Sequence, residues 1–415
     1  GSTCMPWKSV VNIEHHIPQL PGVSIEQGHQ RVYPLAEQAA HVIGYVGGIN
    51  DEEKKSFYRW AEAKIGRQGL ERAQEEGLRG EPGLRQLEVN VHGLSLRKLD
   101  ERPSVKGADL TTGLHRELQA YCYQTLLSKQ SGSAVIMDAR NGQLLAIASA
   151  PSFNSTIMSQ GIGHKAWNAL RNSDKNPLLD KSIAGQYPPG STFKMMTGLA
   201  ALQEGIATPQ RRVHCPGHYY VGRQRFNCWR VGGHGWMNLH NALAQSCDTY
   251  FYTVGRETGI EKLGEMCRHF GLGIKTGVDI PNEKGGNIPT KEWKKKSYDQ
   301  VWTHGDTVNA SIGQGFVLTT PLQLATMTVP LVNGGKWQRP RLLQEEKVTH
   351  LNLDPAYLDA VVGGMDAVVN GRRGTARGSR IDEPEYLMGG KTGTAQVRRI
   401  TIRGQDQDKL PWKQR

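Results

Sequence analysis

The sequence lacks any apolar run near the roughly 18 residues that a membrane-spanning helix needs, and it shows no secretory signal peptide, internal repeat or low-complexity tract. Its six cysteines are too few to hold 415 residues together as a disulfide scaffold. No nucleic-acid-binding motif accompanies the net charge of +12, and the lysine run at 294–296 is short. We therefore expect no nucleic-acid partner and interpret the basic surface as one that lies near anionic membrane headgroups.

Hydrophobic residues make up 37% of the chain and charged residues 22%, a balance typical of globular proteins. A chain of 415 residues is too long for one ordinary core and predicts two units. Residues 1–107 form the first, a small α+β module with a helix at 51–63, an alternating strand at 87–92 and a polar connection at 100–107. Residues 108–415 form the second.

The second unit mixes helical and extended patterns. Two apolar runs, 133–138 and 143–148, flank the dipeptide Asn141-Gly142 and predict a β-hairpin. Helices are predicted at 115–129, 193–204, 239–255, 321–332 and 357–369, and a last strand at 391–398. Helices before and after a hairpin-rich sheet predict an α+β fold.

Ser191 and Lys194 stand three residues apart at a predicted helix start, after the turn signal Pro188-Pro189-Gly190. Residues three apart share a helix face, so the amine can reach the hydroxyl. A serine hydroxyl is a weak nucleophile until a base removes its proton, and a lysine can do so only when it is neutral. On its own the pair is better explained as a helix-capping serine with a surface lysine, so other motifs must decide.

Two further motifs favour a catalytic site. Ser246-Cys247-Asp248 supplies a second hydroxyl and a carboxylate, and Lys391-Thr392-Gly393-Thr394 supplies a cation and two more hydroxyls. Each pattern also has a decoy. Ser95 and Lys98 lie in a strand-like alternation, where positions three apart point to opposite faces, and Lys275-Thr276-Gly277 lacks the second threonine.

These motifs occur in one order along the chain: 187–194 (YPPGSTFK), 246–248 (SCD), 313–315 (GQG), 320–323 (TPLQ) and 391–395 (KTGTA). In them the chain resembles the class B penicillin-binding proteins, and among these the elongation-specific group, penicillin-binding protein 2. Residues 26–44 and 69–71 resemble the N-terminal pedestal of that family. The resemblance spans nearly the whole chain. It implies a penicillin-binding transpeptidase fold, an antiparallel sheet flanked by helices plus a helical subdomain, on a smaller α+β pedestal.

The resemblance implies a peptidoglycan D,D-transpeptidase that cross-links stem peptides during cell elongation. Ser191 would attack the penultimate D-alanine carbonyl of a stem peptide, with Lys194 as the base. Ser246 would pass a proton to the leaving group, in one network with Asp248 and Lys391. β-Lactams would acylate the same serine and stay bound.

Substrate would be held by the segment Thr392-Gly393-Thr394, whose two threonine hydroxyls would bind the terminal carboxylate. Backbone N–H groups of Ser191 and Thr394 would form the oxyanion hole. The family at large has asparagine where this chain has Asp248, and the elongation group tends to have aspartate, which sharpens the assignment. The resemblance further implies a membrane anchor in the natural protein, a catalytic domain in the periplasm, and further residues beyond both ends of this chain.

Cys215, Cys228, His234 and Cys247 are separated by 12, 5 and 12 residues, and three cysteines with one histidine satisfy tetrahedral zinc. Some relatives of penicillin-binding protein 2 carry zinc in this region, so a structural zinc ion is one interpretation. A Cys215–Cys228 disulfide, natural in the periplasm, and a set of buried thiols are the others. A zinc ion there would brace the loop that holds Ser246.

Other functions remain open at this point. A D,D-carboxypeptidase or β-lactamase would use the same nucleophile, although no deacylating base can be assigned and those enzymes lack so long a pedestal. A non-catalytic β-lactam sensor or scaffold would keep the fold, although Ser191, Lys194 and Lys391 are all intact. A RodA-type glycosyltransferase and an MreC-type regulator are the partners that the resemblance implies.

Overall fold

The computed structural model describes residues 5–20, 23, 25, 30–54, 64–91, 95–343 and 348–394. None of the helices in these ranges is both long enough and apolar enough to cross a bilayer. The mixed α+β character predicted from the sequence is confirmed, because helices and antiparallel strand pairs follow one another along the described chain.

The first part of the chain consists of short elements. They are α1 (Trp7–His16), a 3₁₀ turn (Ile17–Gln19), α2 (Ala40–Ile43), β1 (Val46–Gly48), α3 (Asp51–Lys54), β2 (Lys64–Gly66), α4 (Gly69–Ala73), α5 (Glu75–Arg79), β3 (Leu84–Val89) and β4 (Ser95–Arg102). Strands β1 and β2 pair antiparallel, as do β3 and β4. Glu71 anchors this part, because its buried carboxylate receives bonds from Arg31 and from the Tyr33 hydroxyl.

Several predicted boundaries in this part differ from the structure. The helix predicted at 51–63 is observed over Asp51–Lys54, and residues 55–63 lie outside the described residues. The strand predicted at 87–92 begins earlier, at Leu84, and residue 92 is also outside them. The connection predicted at 100–107 was partly wrong, since Asp100 to Arg102 pair with β3. The decoy residues Ser95 and Lys98 both lie in β4.

The second part begins with α6 and the predicted hairpin. Its elements are α6 (Arg116–Ser128), β5 (Gly132–Met137), β6 (Leu144–Ala150), α7 (Ser155–Gln160), α8 (His164–Arg171), a 3₁₀ turn (Gly190–Phe193), α9 (Lys194–Gln203), β7 (Val213–Cys215), β8 (His218–Val221), β9 (Gln224–Asn227), β10 (Gly235–Met237), α10 (Leu239–Ala244), α11 (Asp248–Thr258), α12 (Ile260–His269), α13 (Lys291–Tyr298), α14 (His304–Ala310), α15 (Pro321–Val332), β11 (Lys336–Gln338), β12 (Val348–His350), α16 (Pro355–Val369) and a 3₁₀ turn (Arg377–Ser379).

Helix α9 is the centre of the largest apolar core. Its residues from Lys194 to Leu202 are all buried, and α11, α12 and α16 pack around it. A helix enclosed on all sides is apolar around its whole circumference, and a lysine at its first position is therefore an exception that needs partners. The core thus fixes the backbone from which the predicted Ser191 and Lys194 pair projects.

Helix α15 starts where the sequence predicts. Thr320 caps it with its hydroxyl, Gln323 bonds back to the backbone of Thr320, and Pro321 occupies the first turn, where its missing N–H costs nothing. The side-chain amide of Gln323 also donates to two carbonyls of the 274–285 loop. In that loop the decoy Thr276 donates to buried Glu283, which accounts for its threonine without catalysis.

The helix predicted at 239–255 was wrong in one respect, because it is two helices. Helix α10 ends at Ala244 and α11 begins at Asp248, with Ser246 between them at a backbone φ of 51°. The last strand predicted at 391–398 was also wrong for its described half. Residues 391–394 have no regular structure and pair with none of the described strands, and 395–398 lie outside the described residues.

Candidate active site

Ser191 lies in the 3₁₀ turn that leads into α9. Gly190 before it has a φ of 56° and its N–H donates to the carbonyl of Gly313 at 3.0 Å. Thr192 after it donates its hydroxyl to Pro189 at 2.8 Å. The serine is therefore held at a helix start by backbone contacts on both sides, and its own hydroxyl has no hydrogen-bond partner among the described residues.

Lys194 points into the protein and is fully buried. Its amine donates to Asp248 Oδ1 at 2.7 Å, to the Ser246 carbonyl at 2.9 Å and to Ser246 Oγ at 3.1 Å. A buried ammonium requires such partners, since an unpaired one would cost several kcal/mol (~3–5). The amine thus joins the first predicted motif to the second. Its contact with the Ser191 hydroxyl stays a prediction.

Ser246 is the meeting point of the site. Its hydroxyl oxygen accepts from Lys194 and, at 3.0 Å, from the amine of Lys391, 145 residues further along the chain. A serine hydroxyl has two lone pairs and one proton. With both lone pairs occupied by amines, its proton is left to be donated elsewhere.

The segment 391–394 packs against the turn that carries Ser191. A Cβ on Gly190 would lie 2.4 Å from the carbonyl oxygen of Thr394, and one on Gly393 would lie 3.0 Å from the Thr192 methyl group. Position 190 therefore needs glycine, for this approach and for its positive φ, whereas a side chain at position 393 would have to displace the Thr192 methyl group. Gln314 donates to the same Thr394 carbonyl at 3.4 Å, which places the 313–315 motif beside the site as well.

The pKa of Lys391 is lowered to about 7, first by burial and then by the nearby positive charge of Lys194, while the charge of Asp248 acts in the opposite direction. A lysine with this pKa exchanges its proton near neutral pH. Asp248 is fixed between two donors, because its second oxygen accepts the backbone N–H of Trp229 at 2.9 Å. The sequence-predicted residues Ser246, Asp248, Lys194 and Lys391 are thus brought into one hydrogen-bonded network.

The structure also brings together Cys215, Cys228, His234 and Cys247, whose ligand atoms all lie within 4.8 Å of one another. His234 Nδ1 is 3.5 Å from the sulfur atoms of both Cys215 and Cys228. The three thiols are nearly fully buried and free of disulfides. Hydrogen bonds from Cys215 and Cys247 lower the pKa of Cys228 to about 3, so one sulfur of the group is the favoured thiolate.

Two residues of the site gave no recognisable sequence signal. Trp229 bonds to Asp248 and to the loop of Ser246, and its position next to Cys228 is the one signal that could have pointed to it. Thr375 shares a 2.8 Å hydrogen bond with the hydroxyl of Thr392, and its N–H donates to the last residue of α10. It follows α16 in a glycine- and arginine-rich loop that resembles no catalytic motif.

Comparison with known proteins shows which family has this sequence and this fold. The family described as "Penicillin binding protein transpeptidase domain" matches residues 132–409, and "Penicillin-binding Protein dimerisation domain" matches residues 2–112. The chain is 37% identical over 401 residues to the peptidoglycan D,D-transpeptidase MrdA of Acinetobacter baumannii, covering 92% of this chain and 59% of that protein. It is 35% identical to MrdA of Escherichia coli K12 over 402 residues, covering 91% and 63%.

Solved structures agree. Penicillin-binding protein PBP2 in its complex with MreC from Helicobacter pylori superposes with a TM-score of 0.88 at 33% identity, over 95% of this chain and 75% of that one. PBP2 of Pseudomonas aeruginosa in complex with WCK 5153 superposes with a TM-score of 0.78 at 36% identity, over 90% and 82%.

These matches confirm the resemblance to penicillin-binding protein 2 and the penicillin-binding transpeptidase fold. The chain spans about 60% of the length of the curated relatives it matches. Both family domains are present in the expected order. The chain therefore belongs to the penicillin-binding proteins that join a dimerisation domain to a transpeptidase domain.

Proposed function

We propose that the chain is the catalytic part of a peptidoglycan D,D-transpeptidase of the elongation type, acting through an acyl-enzyme on Ser191. The observation that carries the proposal is the convergence of the Lys194 and Lys391 amines on the Ser246 hydroxyl. Three hydroxyl- and amine-bearing motifs meet there from distant parts of the chain. Ser191 stands in the turn just before Lys194, and within the described part of the chain its hydroxyl has no hydrogen-bond partner.

In the first half of the reaction, Ser191 Oγ forms a bond to the penultimate D-alanine carbonyl while the bond to the terminal D-alanine breaks. Before this step the extra proton of Lys194 passes through the Ser246 hydroxyl to the neutral amine of Lys391. The neutral Lys194 amine then turns from Asp248 and Ser246 toward the nucleophile and takes the serine proton. Ser246 gives its free proton to the departing amine and regains one from Lys194 or Lys391. The positive end of α9 stabilises negative charge that develops at the carbonyl oxygen.

In the second half, an amine of a neighbouring peptidoglycan strand attacks the ester carbonyl, and the bond between this carbonyl and Ser191 Oγ breaks. The proton of the amine returns to Ser191 through Ser246 and Lys194. The segment Thr392-Gly393-Thr394 holds the terminal carboxylate of the donor during the first half, before the terminal D-alanine leaves, and backbone N–H groups of Ser191 and Thr394 form the oxyanion hole in both halves. A β-lactam would acylate Ser191 in the same way and remain attached.

The test is labelling with a fluorescent penicillin. Ser191→Ala should abolish the covalent band, whereas Ser95→Ala, which removes the serine of the decoy pair, should label as the wild type does. Labelling that survives Ser191→Ala would contradict the proposal. Incubation with a donor stem peptide, with and without an acceptor amine, distinguishes the alternatives: a cross-linked product supports a transpeptidase, a trimmed donor alone a carboxypeptidase, rapid β-lactam turnover a β-lactamase, and no product a sensor or scaffold.

We further propose that Cys215, Cys228, His234 and Cys247 hold a structural zinc ion. In tetrahedral zinc with bonds of about 2.3 Å to sulfur and 2.0–2.1 Å to nitrogen, a sulfur and a nitrogen ligand lie about 3.5 Å apart. The two sulfur–Nδ1 distances here match that value. Bound zinc would cross-link the loop of Cys228 to the Ser246 loop through Cys247.

Metal analysis of protein purified without chelators decides between the three interpretations of this cluster. One zinc per chain supports the site. A lack of zinc with two thiols missing in a titration of the denatured protein would instead indicate the Cys215–Cys228 disulfide. A lack of zinc with all thiols present would indicate simple buried thiols.

The remaining assignments rest on the relatives. A structure of the Helicobacter pylori relative contains MreC, and another neighbour, with a TM-score of 0.80 at 30% identity, belongs to a peptidoglycan synthase complex. We propose that this chain likewise binds an MreC-type regulator and a RodA-type glycosyltransferase, which co-purification of the full-length protein with each partner tests. We also propose that the protein is anchored to the inner membrane with its catalytic domain in the periplasm. The chain would divide near residue 107 into a pedestal domain and a catalytic domain.

A further inference from the structure

Trp229 has an exposed ring and two engaged N–H groups. The side chain is 58% exposed and follows Cys228 in the loop between β9 and β10. Its indole N–H donates to the carbonyls of Gln245 at 3.1 Å and Ser246 at 3.0 Å, and its backbone N–H donates to Asp248 at 2.9 Å. One residue thus contacts Gln245 and Ser246 in the break between α10 and α11, and Asp248 at the start of α11.

That break needs outside support. Ser246 has a φ of 51°, a left-handed conformation that costs a residue with a side chain about 1–2 kcal/mol. Its carbonyl is held by two donors, the indole of Trp229 and the amine of Lys194. In the proposed reaction the amine leaves to serve Ser191, and the indole is then the donor that stays in place.

The ring of Trp229 is itself fixed from the other side. It packs edge-on against the His234 ring, with centroids 5.3 Å apart and an interplanar angle of 66°. The histidine belongs to the cysteine cluster, whose member Cys247 immediately follows Ser246. The indole therefore lies between the cluster and the hydroxyl on which both amines converge.

We propose that Trp229 is a positioning residue for the acylation step. Its indole N–H holds the Ser246 peptide so that the serine hydroxyl keeps its place while the Lys194 amine moves to Ser191 and back. The proposal rests on the proposed transpeptidase function. It makes the rate of acylation, rather than the binding of the β-lactam, depend on one N–H group at the surface of the protein.

The experiment compares Trp229→Phe, which keeps an aromatic ring but removes the indole N–H, with the matched exchange Trp236→Phe. Trp236 is 66% exposed on β10 and packs edge-on against His214 at 5.3 Å. Labelling with a fluorescent penicillin at several concentrations and times separates the limiting acylation rate from the concentration at half saturation. One lost hydrogen bond predicts a limiting rate about fivefold lower for Trp229→Phe, with an unchanged half-saturating concentration. Trp236→Phe should match the wild type.

An acylation rate within twofold of the wild type in Trp229→Phe, or an equal fall in Trp236→Phe, would overturn the proposal. A higher half-saturating concentration with an unchanged limiting rate would also overturn the proposal, because it would show that the Trp229 ring contributes to β-lactam binding. Should Trp229→Phe unfold, benzothienylalanine at position 229 replaces the N–H by sulfur within the same shape and gives the same comparison. Ser191→Ala run in parallel identifies a failure of the proposed function itself, since it would then still be labelled.

Discussion

Asp248→Asn is the substitution with the sharpest consequence for this site. The carboxylate uses both oxygens, one for the buried amine of Lys194 at 2.7 Å and one for the backbone N–H of Trp229 at 2.9 Å. Asparagine has one acceptor oxygen and places an NH₂ group where the other was. Either the amine or the backbone N–H must therefore lose its partner, and the negative charge disappears in both cases.

The size of the effect follows from burial. Lys194 has no exposed side-chain surface and Asp248 only 12%. Removing one partner of a buried ion pair costs about 3–5 kcal/mol, and the oxygen that asparagine retains offsets part of this, which leaves about 3 kcal/mol. At roughly 2–4 °C for each kcal/mol in a domain of this size, the Tm should fall by about 6–12 °C.

Asp248→Asn should also change the pH dependence of acylation. Because the charge of Asp248 raises the pKa of Lys391, its removal should lower that pKa. Labelling by fluorescent penicillin across pH 5–9 should therefore show the acid limb of the acylation rate moved to lower pH.

A second buried pair provides the control. Lys294 in α13 donates to Asp306 in α14 at 2.7 Å, and their side chains are 7% and 17% exposed. Asp306 uses a single oxygen for all its bonds, so Asp306→Asn loses the charge but keeps its acceptor. It should destabilise less and leave the acylation profile unchanged. An Asp248→Asn protein with the wild-type Tm, or a shifted profile in Asp306→Asn, would refute the reasoning.

Three further outcomes are expected. Gly190→Ala should abolish labelling, because its Cβ would lie 2.4 Å from the Thr394 carbonyl. The control Gly205→Ala has a similar φ of 68° but meets no atom within 4 Å, so it should lower the thermal stability and leave labelling intact. The wild-type acylation rate should rise through pH 7 as Lys391 loses its proton, and Lys391→Arg should remove that limb. Since the folded chain then holds fewer protons than the unfolded chain, the free energy of unfolding should also rise between pH 7 and about pH 10, which urea titrations can follow. Cys228→Ser should lower both the zinc content and the acylation rate. A loss of zinc with an unchanged acylation rate would show that the cysteine cluster does not support the active site.

The sequence was sufficient for the residues of the network but insufficient for its shape. Spacing and order identified Ser191, Lys194, Ser246 and Lys391, since each carries a chemical group that the reaction needs. The strand and helix patterns of 133–148 and 321–332 were also predicted, because turn and capping residues mark their ends.

What the sequence could not show is the interruption at Ser246. No proline lies between 239 and 258 to mark a break, and the left-handed serine is held by partners from other parts of the chain. Those partners, Lys194 and Trp229, act through the backbone carbonyl of the serine, a group that every residue has. Contacts of this kind leave no trace in residue type, and the same holds for Thr375 beside Thr392.

The hydrogen bond between Lys391 and Ser246 has a consequence for how the active site assembles during synthesis of the chain. It closes a loop of 145 residues, and Lys391 is synthesised after helix α16 of the core. A ribosome that has synthesised α9 and α11 has produced the nucleophile and the buried amine, yet the Lys391 amine joins them only after residues 391–394 have emerged and docked on Gly190. We expect chains that end before residue 391 to retain the core and fail to react, so that covalent capture of a penicillin reports the docking of this segment.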